Sequence, residues 1–346
     1  MTYNPNDTAL ADSGIFGLPF TADNSQIHLI PVPWEVTTSY GDGTSRGPEQ
    51  ILSASHQLDV FDIETGEVYQ HGYFMLPIPE DIQNLNDRLK ILAKNIVAEI
   101  ESGAPLGENA LELQKKINEG SEKLNTWVYQ QSQKVLEQNR IAAVVGGDHS
   151  SPFGLIQAVI EKHGHDIGIL HFDAHADLRE AYQGFENSHA SIMYNVMEKL
   201  KPSKLIQVGI RDFSPGEHSY ILNHSDHIHT FFDRLLKRRL HRGDPWQMIC
   251  DEIVTLLPAK VYVSFDIDGL SPDLCPNTGT PVAGGLSYDQ ALTLLATLGE
   301  SGKKIVGFDL NEVSGSDDGS TEWDGNVGAR LLFKMCGWAL LSNGFR

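Results

Sequence analysis

Ile167-Gly-Ile-Leu-His-Phe-Asp-Ala-His-Ala-Asp177 is the stretch from which the rest of the chain is read. Its opening, Ile167 to Leu170, is an apolar run of the kind that forms a buried strand of a parallel sheet. Asp173, His175 and Asp177 follow, three metal-type ligands at every second position. In extended backbone, side chains at i, i+2 and i+4 point to the same side. Two carboxylates and an imidazole facing one space are costly to desolvate unless something positive compensates them. Taken alone, the segment also fits a polar strand end with water-bridged aspartates.

A chain of 346 residues, 40% of them hydrophobic, can bury a large core in one big α/β domain or two smaller ones. The formal net charge of -20 and pI of about 5.0 argue against a nucleic-acid surface and suit a soluble protein that attracts a cationic substrate. One basic run, Arg234 to Arg242, stands against that trend and reads as the solvated face of a surface helix, with a partner site as the alternative. The three cysteines, Cys250, Cys275 and Cys336, are far apart and imply no disulfide framework. No apolar stretch is long enough to span a membrane, and Met1–Gly14 has neither a basic start nor an apolar signal core. A cytoplasmic protein with no membrane or nucleic-acid partner is expected.

Residues 1–24 are polar and read as a flexible N-terminal segment, with a single domain over 25–346. Ile27–Val32 reads as the first strand. It leads into a Gly-rich loop containing Gly41 and Gly43, then a helix near Pro48, a residue suited to the first helical turn. The loop lacks both the Walker Lys-Ser/Thr and the three-glycine dinucleotide pattern, so it is a functional loop without a nucleotide. A second strand is expected around Val68–Leu76. Between 82 and 138 lies a helical insertion of two helices: Leu85, Leu89, Leu92, Ile96 and Ile100 form one stripe, and Leu124, Val128 and Val135 another. The pair is expected to pack on a neighbouring subunit or to overhang the active-site mouth, since its apolar stripes exceed what a solvated hairpin needs.

From Ile141 onward strands and helices alternate: strands at Ile141–Val145, Ile167–Phe172, Leu205–Ile210, His227–Phe232, Val261–Phe265 and Ile305–Asp309. Helices are expected from Ser150 and over Ser191–Leu200, Pro245–Leu257, Tyr288–Leu298 and Val327–Leu341. Such alternation means βαβ units and a three-layer α/β/α fold around a mainly parallel sheet. In these sheets sites form beyond the carboxyl ends of the strands.

The carboxyl ends carry the chemistry. Gly146-Gly-Asp-His149-Ser follows one strand; Asp173, His175 and Asp177 follow the next; Asp266-Ile-Asp268-Gly and Asp309-Leu-Asn-Glu312 follow two others. Singly each is weak. His149 before a helix reads as a cap or a packed histidine, and Asp266 with Asp268 as a turn signal for Gly269. Together, His149, Asp173, His175, Asp177, Asp266 and Asp268 converge on one rim, and a metal centre is the economical reading. Four carboxylates balance two divalent cations, with two neutral imidazoles completing the shells. Oxygen-rich ligation with some imidazole and no thiolate favours two Mn²⁺, with Ni²⁺, Co²⁺ or Fe²⁺ also compatible. Paired cations lower the pKa of a water held between them towards neutrality.

Gly146–Ser150 (GGDHS), Phe172–Asp177 (FDAHAD), Asn187–Ser191 (NSHAS), Ser264–Pro272 (SFDIDGLSP), Gly279–Ser287 (GTPVAGGLS) and Gly307–Val313 (GFDLNEV), in this order and spacing, resemble the ureohydrolase (arginase/agmatinase) family. The resemblance implies an arginase-like fold, a homotrimer or homohexamer, and hydrolysis of a guanidino compound to urea and an amine. It implies one metal on His149, Asp173, Asp177 and Asp266 and a second on Asp173, His175, Asp266 and Asp268, with Asp173 and Asp266 bridging. His189 matches the family histidine that transfers a proton, and Glu312 the carboxylate that holds the guanidinium. Asp177, beside the metals, is expected to steady the tetrahedral intermediate.

The loop Leu178–Asn187 departs from the Thr/Ser/Asn-rich arginase pattern, which disfavours arginine and leaves agmatine, giving putrescine and urea, as the first choice. Arg179, Glu180, Tyr182 and Glu186 are candidates for reading the substrate tail, against a plain solvated loop. Guanidinobutyrate, guanidinopropionate, guanidine, arginine and formiminoglutamate are the alternatives. A single-zinc histone-deacetylase-like amidohydrolase shares the fold and an Asp-x-His pair, but leaves Asp177, Asp268 and His149 without a purpose. A metal-stabilised scaffold without turnover is the non-enzymatic reading.

Overall fold

Eight strands, all parallel, form one sheet in the order β2-β1-β3-β8-β7-β4-β5-β6. The computed structural model describes residues 4–6, 13–103, 105–316, 319 and 321–346. The strands are β1 (Ile27–Pro31), β2 (Tyr73–Met75), β3 (Ile141–Val145), β4 (Ile167–Phe172), β5 (Lys204–Val208), β6 (Ile228–Phe231), β7 (Lys260–Asp266) and β8 (Lys304–Asn311). The helices are α1 (Gly47–Ser55), α2 (Glu80–Glu101), α3 (Glu108–Glu137), α4 (Phe153–His163), α5 (Ile192–Asn195), α6 (Pro215–Asn223), α7 (Asp233–His241), α8 (Trp246–Thr255), α9 (Tyr288–Glu300) and α10 (Trp323–Ser342).

Two hydrophobic cores cover the two faces of the sheet, which is the three-layer α/β/α architecture read from the alternation. Alternate residues of β4 feed them: Leu170 and Phe172 join the core of α1, α8, α9 and α10, while Ile167 and Ile169 join that of α2, α3 and α4. With both faces covered, every residue of β4 is buried, which is why its sequence is apolar except for His171. Sheet order places β3, β8, β7 and β4 side by side at the centre. Parallel pairing then brings their four carboxyl ends to one edge, the crevice where strand order reverses.

The expected second strand over Val68–Leu76 contracts to Tyr73–Met75, because Val68–His71 closes into a 3-10 turn before Gly72 at φ 86°. The helix expected from Ser150 starts at Phe153, and the stretch to Leu200 ends as a π-helix over Val196–Leu200. Helix α6 escaped the sequence reading; Ser214 and Glu217 cap it reciprocally. The flexible N-terminal segment expected over 1–24 does not include residues 15–18: Ile15, Phe16 and Leu18 are buried, and the Phe16 ring meets Tyr73 and Phe333 edge-on. Residues 1–3 and 7–12 of that segment lie outside the described residues. The basic run is α7, whose Leu236 is buried while Arg234 and Arg238 are exposed. All three cysteines are buried and unpaired. Among the described residues no helix is long and apolar enough to cross a membrane.

The helical stretch at 82–138 forms the connection between β2 and β3. Its α3 packs along α4, where Gly154 is required: a Cβ there would sit 2.3 Å from the Asn125 carbonyl oxygen. A parallel sheet needs such crossovers, and this one is two helices deep.

Candidate metal centre and substrate pocket

At the four central strand ends the side chains form two overlapping clusters. His149 Nδ1 lies 3.0 Å from Asp173 Oδ2, 3.4 Å from Asp177 Oδ2 and 3.2 Å from Asp266 Oδ2. His175 Nδ1 lies 3.5 Å from Asp173 Oδ1 and 3.1 Å from Asp268 Oδ2. Asp173 thus turns one oxygen to each imidazole, as a bridging carboxylate does. Every member is buried except His175, which is half-buried.

Burial, and then the charge of Asp173, holds the Asp177 carboxyl well above its usual range. Burial followed by Asp268 and Asp173 does the same to Asp266. Asp173 moves the other way: burial pushes it up, but His171 and His149 outweigh that and hold it well below. Burial depresses His149 and His175, yet the surrounding carboxylates raise both. Carboxylates that repel one another in a dry pocket need cations, and the oxygen-rich donor set with two imidazoles fits divalent ones.

Backbone shape aims the ligands. Asp177 and Glu312 sit in the left-handed region at φ 54° and 63°, a strained conformation for residues with a Cβ and one found at functional sites. Asp177 is held by the Tyr194 N–H on its carbonyl at 3.0 Å, and Glu312 by its own N–H on the Gly147 carbonyl at 2.7 Å. Gly147 is obligatory there, because a Cβ would lie 1.8 Å from the Trp34 carbonyl oxygen. Asp266 Oδ1 accepts the Asp268 N–H at 2.8 Å, and Asp268 Oδ1 accepts the Ala174 N–H at 2.9 Å.

Beside the metal cluster, Thr38–Gly41, His189, Gly279, Thr280 and Glu312 line a narrow cleft. Glu312 Oε1 accepts the His149 N–H at 3.0 Å. Burial first, then the charge of Asp266, holds its carboxyl well above the usual range. Burial, then the neighbouring His175, holds His189 down at about 4, and its buried Nδ1 has no hydrogen-bond partner among the described residues.

Of the four loop residues proposed to read the substrate tail, Tyr182 comes nearest, its ring edge-on to His189 at 6.1 Å between centroids. Arg179 stacks over Tyr182 at 4.8 Å, with its Nε 3.6 Å from Glu217 Oε2. Glu180 and Glu186 are exposed; Glu186 is engaged through its backbone, its N–H on Asn118 Oδ1 at 3.1 Å.

The sequence reading missed the groups behind the ligands. His171, buried inside β4, meets Asp173 Oδ2 through Nε2 at 2.8 Å. The Gln207 amide donates to His171 Nδ1 at 3.1 Å and to the Ala176 carbonyl at 2.8 Å. Nδ1 is therefore an acceptor and Nε2 carries the proton, making His171 an orienting partner of Asp173 rather than a ligand. On the far side of His149, Nε2 contacts Ser264 Oγ at 2.9 Å, and Ser264 donates to Asp309 Oδ1 at 2.9 Å. Arg211 braces the Asp268 loop, its Nη2 donating to the Asp268 carbonyl at 2.7 Å. The one available signal was a polar residue, His171, within an otherwise apolar strand.

The arginase family profile matches residues 25–337. An N(1)-aminopropylagmatine ureohydrolase of Thermus thermophilus is 31% identical over 324 residues, 93% of each chain. A mitochondrial agmatinase of Gallus gallus is 29% identical over 323 residues, 91% of this chain and 81% of that one. Among solved structures, proclavaminate amidino hydrolase from Streptomyces clavuligerus superposes with a TM-score of 0.73 at 21% identity, covering 97% of this chain and 100% of that chain. The single-zinc alternative is disfavoured, because two groups of potential ligands share Asp173 and the relatives are ureohydrolases. A profile spanning the sheet and every candidate ligand, on a buried His/Asp metal-binding cluster, places the chain in the arginase family, as a ureohydrolase acting on guanidino C–N bonds.

Proposed function

We propose that the protein hydrolyses agmatine to putrescine and urea with two Mn²⁺ per chain. The observation that carries this reading is the overlap of the two His/Asp clusters at Asp173, with the buried carboxylate of Glu312 hydrogen-bonded to the backbone N–H of His149. His149, Asp173, Asp177 and Asp266 would hold one ion, and Asp173, His175, Asp266 and Asp268 the other. Such an ion pair supplies an acidified water as nucleophile at neutral pH.

The chain's own residues do the rest. Glu312 keeps one oxygen on the His149 N–H and offers the other to a guanidinium, fixing the plane of that group by charge-assisted hydrogen bonds. Binding restores the charge that burial suppresses on Glu312. A resonance-stabilised guanidinium is a poor electrophile, so orientation against the nucleophile is a large part of the barrier. His189 is neutral at pH 7 with a free Nδ1, which suits it to take a proton and pass it to the departing amine nitrogen. Asp177, aimed by its left-handed backbone, steadies the tetrahedral intermediate. Tyr182, edge-on to His189, and Arg179 stacked on it would meet the substrate tail, with the exposed Glu180 and Glu186 further out on the same loop. The acidic surface, net charge -20, draws in a cationic substrate. A cytoplasmic homotrimer or homohexamer belongs to the same reading.

The named activities of the two relatives above, on agmatine and aminopropylagmatine, support this substrate class. The test is urea and ammonia release by the Mn-loaded protein against agmatine, arginine, guanidinobutyrate, guanidine and formiminoglutamate. Agmatine is expected to give the highest kcat/KM by at least about tenfold, a difference of about 1.4 kcal/mol. A higher value for another guanidino compound replaces the substrate; release from none of them removes the proposed activity.

A further inference from the structure

Between Asp177 and His189, both site residues, the chain runs through a loop that has no regular structure of its own beyond a bridge between Tyr182 and Phe185. Its conformation is set from outside. Along α3, Gln114, Asn118, Glu122 and Asn125 recur at helical spacing, and each meets this loop. Gln114 donates to the Gln183 carbonyl at 2.9 Å; Asn118 donates to the Gly184 carbonyl at 3.3 Å and accepts the Glu186 N–H at 3.1 Å. Glu122 accepts from Asn187 Nδ2 at 2.8 Å, and Asn125 donates to Asn187 Oδ1 at 3.4 Å. Gly184, at φ 79°, lies so close that a Cβ would fall 1.8 Å from Gln114 Nε2.

Helix α2 does the same for the opposite wall. Asn86, Lys90 and Lys94 recur every fourth residue and face the Gly-rich loop. Asn86 Oδ1 accepts the Glu35 N–H at 2.7 Å, Lys90 pairs with Glu35 and, at 2.8 Å, with Asp42, and Lys94 reaches Asp42 at 2.5 Å. Glu35 in turn accepts the Gly43 N–H at 2.6 Å and the Ser45 N–H at 3.2 Å, folding the loop so that Thr38–Gly41 faces Glu312 across the cleft. The two helices are locked together where Gly120 meets Leu89.

We infer that the α2–α3 hairpin is the positioning frame of the substrate-tail channel, with Asn118 and Gln114 as positioning residues that set tail selectivity through the 178–187 loop. The proposal rests on the ureohydrolase reading for its kinetic half only. Neutral side-chain-to-backbone hydrogen bonds of this kind are individually modest, so losing the two made by Asn118 loosens the loop without unfolding the chain. A loosened wall weakens binding of the part of the substrate it touches. The guanidinium, held by Glu312, is not affected.

The experiment compares the Mn-loaded wild type with Asn118→Ala, Gln114→Ala and Asn118→Asp, reading kinetics, metal content and amide hydrogen exchange. Asn118→Ala is expected to raise KM for the best tail-bearing substrate by about tenfold with kcat within about twofold and metal content unchanged. KM for free guanidine, which has no tail, is expected to change by less than about twofold. Exchange of the Phe185 and Glu186 amides is expected to quicken, and Asn118→Asp, which keeps the acceptor for the Glu186 N–H, to recover part of both effects. Gln114→Ala repeats the pattern more weakly and guards against a folding defect peculiar to one site. Equal KM changes for guanidine and the tailed substrate, or a fall in kcat with metal loss, would overturn the proposal in favour of a general structural role. Unchanged exchange at 185–186 would overturn the anchoring itself. If the wild type releases urea from nothing, the ureohydrolase reading fails separately, and the exchange result alone decides whether α3 holds the loop.

Discussion

Asp266→Asn is expected to strip most of the bound Mn²⁺ from both positions, whereas His149→Ala is expected to leave close to one ion per chain. Asparagine keeps the carbonyl oxygen that accepts the Asp268 N–H, so the turn after β7 survives the substitution. What it removes is the charge of a carboxylate whose other oxygen lies 3.2 Å from His149 Nδ1. If Asp266 bridges, both ions lose a ligand and one of the four negative charges that balance them goes with it. His149 touches only the cluster with Asp173, Asp177 and Asp266, and its loss leaves His175, Asp173 and Asp268 in place. Elemental analysis of the folded variants reads the difference without any assay of turnover. Full occupancy in Asp266→Asn would sink the bridging assignment.

Glu312→Gln, in a metal-replete enzyme, is expected to lower kcat/KM on the best guanidino substrate by about 10²–10³-fold. Glutamine retains the size of the side chain and an oxygen for the His149 N–H, so the strained backbone at φ 63° keeps its support. It lacks the negative charge that a guanidinium pairs with, and the loss is expected to be larger for guanidinium substrates than for a neutral analogue. His189→Asn, by contrast, is expected to lower kcat by about 10²–10⁴-fold with both metals retained, since it removes a proton carrier and not a binding group. Wild-type kcat/KM in a folded, metal-loaded Glu312→Gln protein would refute the clamp.

How much of this was visible in the amino-acid order follows from which features are local. The run Asp173, His175, Asp177 and the apolar strands preceding each motif declare themselves, but the extended backbone expected through Asp177 does not hold: β4 ends at Phe172, and the left-handed backbone of Asp177, not strand alternation, turns its side chain into the cluster. That β3, β8, β7 and β4 are neighbours is not local and was not read from the sequence; the α/β alternation gave only a parallel sheet whose carboxyl ends share one rim. His171 was hidden inside an apolar strand, where a single polar residue carries no period. Ser264 and Asp309 acquire meaning only when β7 and β8 pair, Ser264 opposite Asp309. The stripe Gln114, Asn118, Glu122, Asn125 looks in sequence like any solvated helix face. Its partners sit some 60 to 70 residues further along, at separations of 69, 68 and 65 for Gln114, Asn118 and Glu122. The buried Ile15–Leu18 was likewise masked by polar surroundings, since four residues give no measurable periodicity.

The most direct test of a binuclear guanidino hydrolase is a titration of metal-free protein with Mn²⁺, reading bound metal and urea release from agmatine in the same samples. The expected result is saturation at two ions per chain, with activity rising mainly as the second ion binds. Full activity at one bound ion per chain, with no further gain at higher metal, would contradict it.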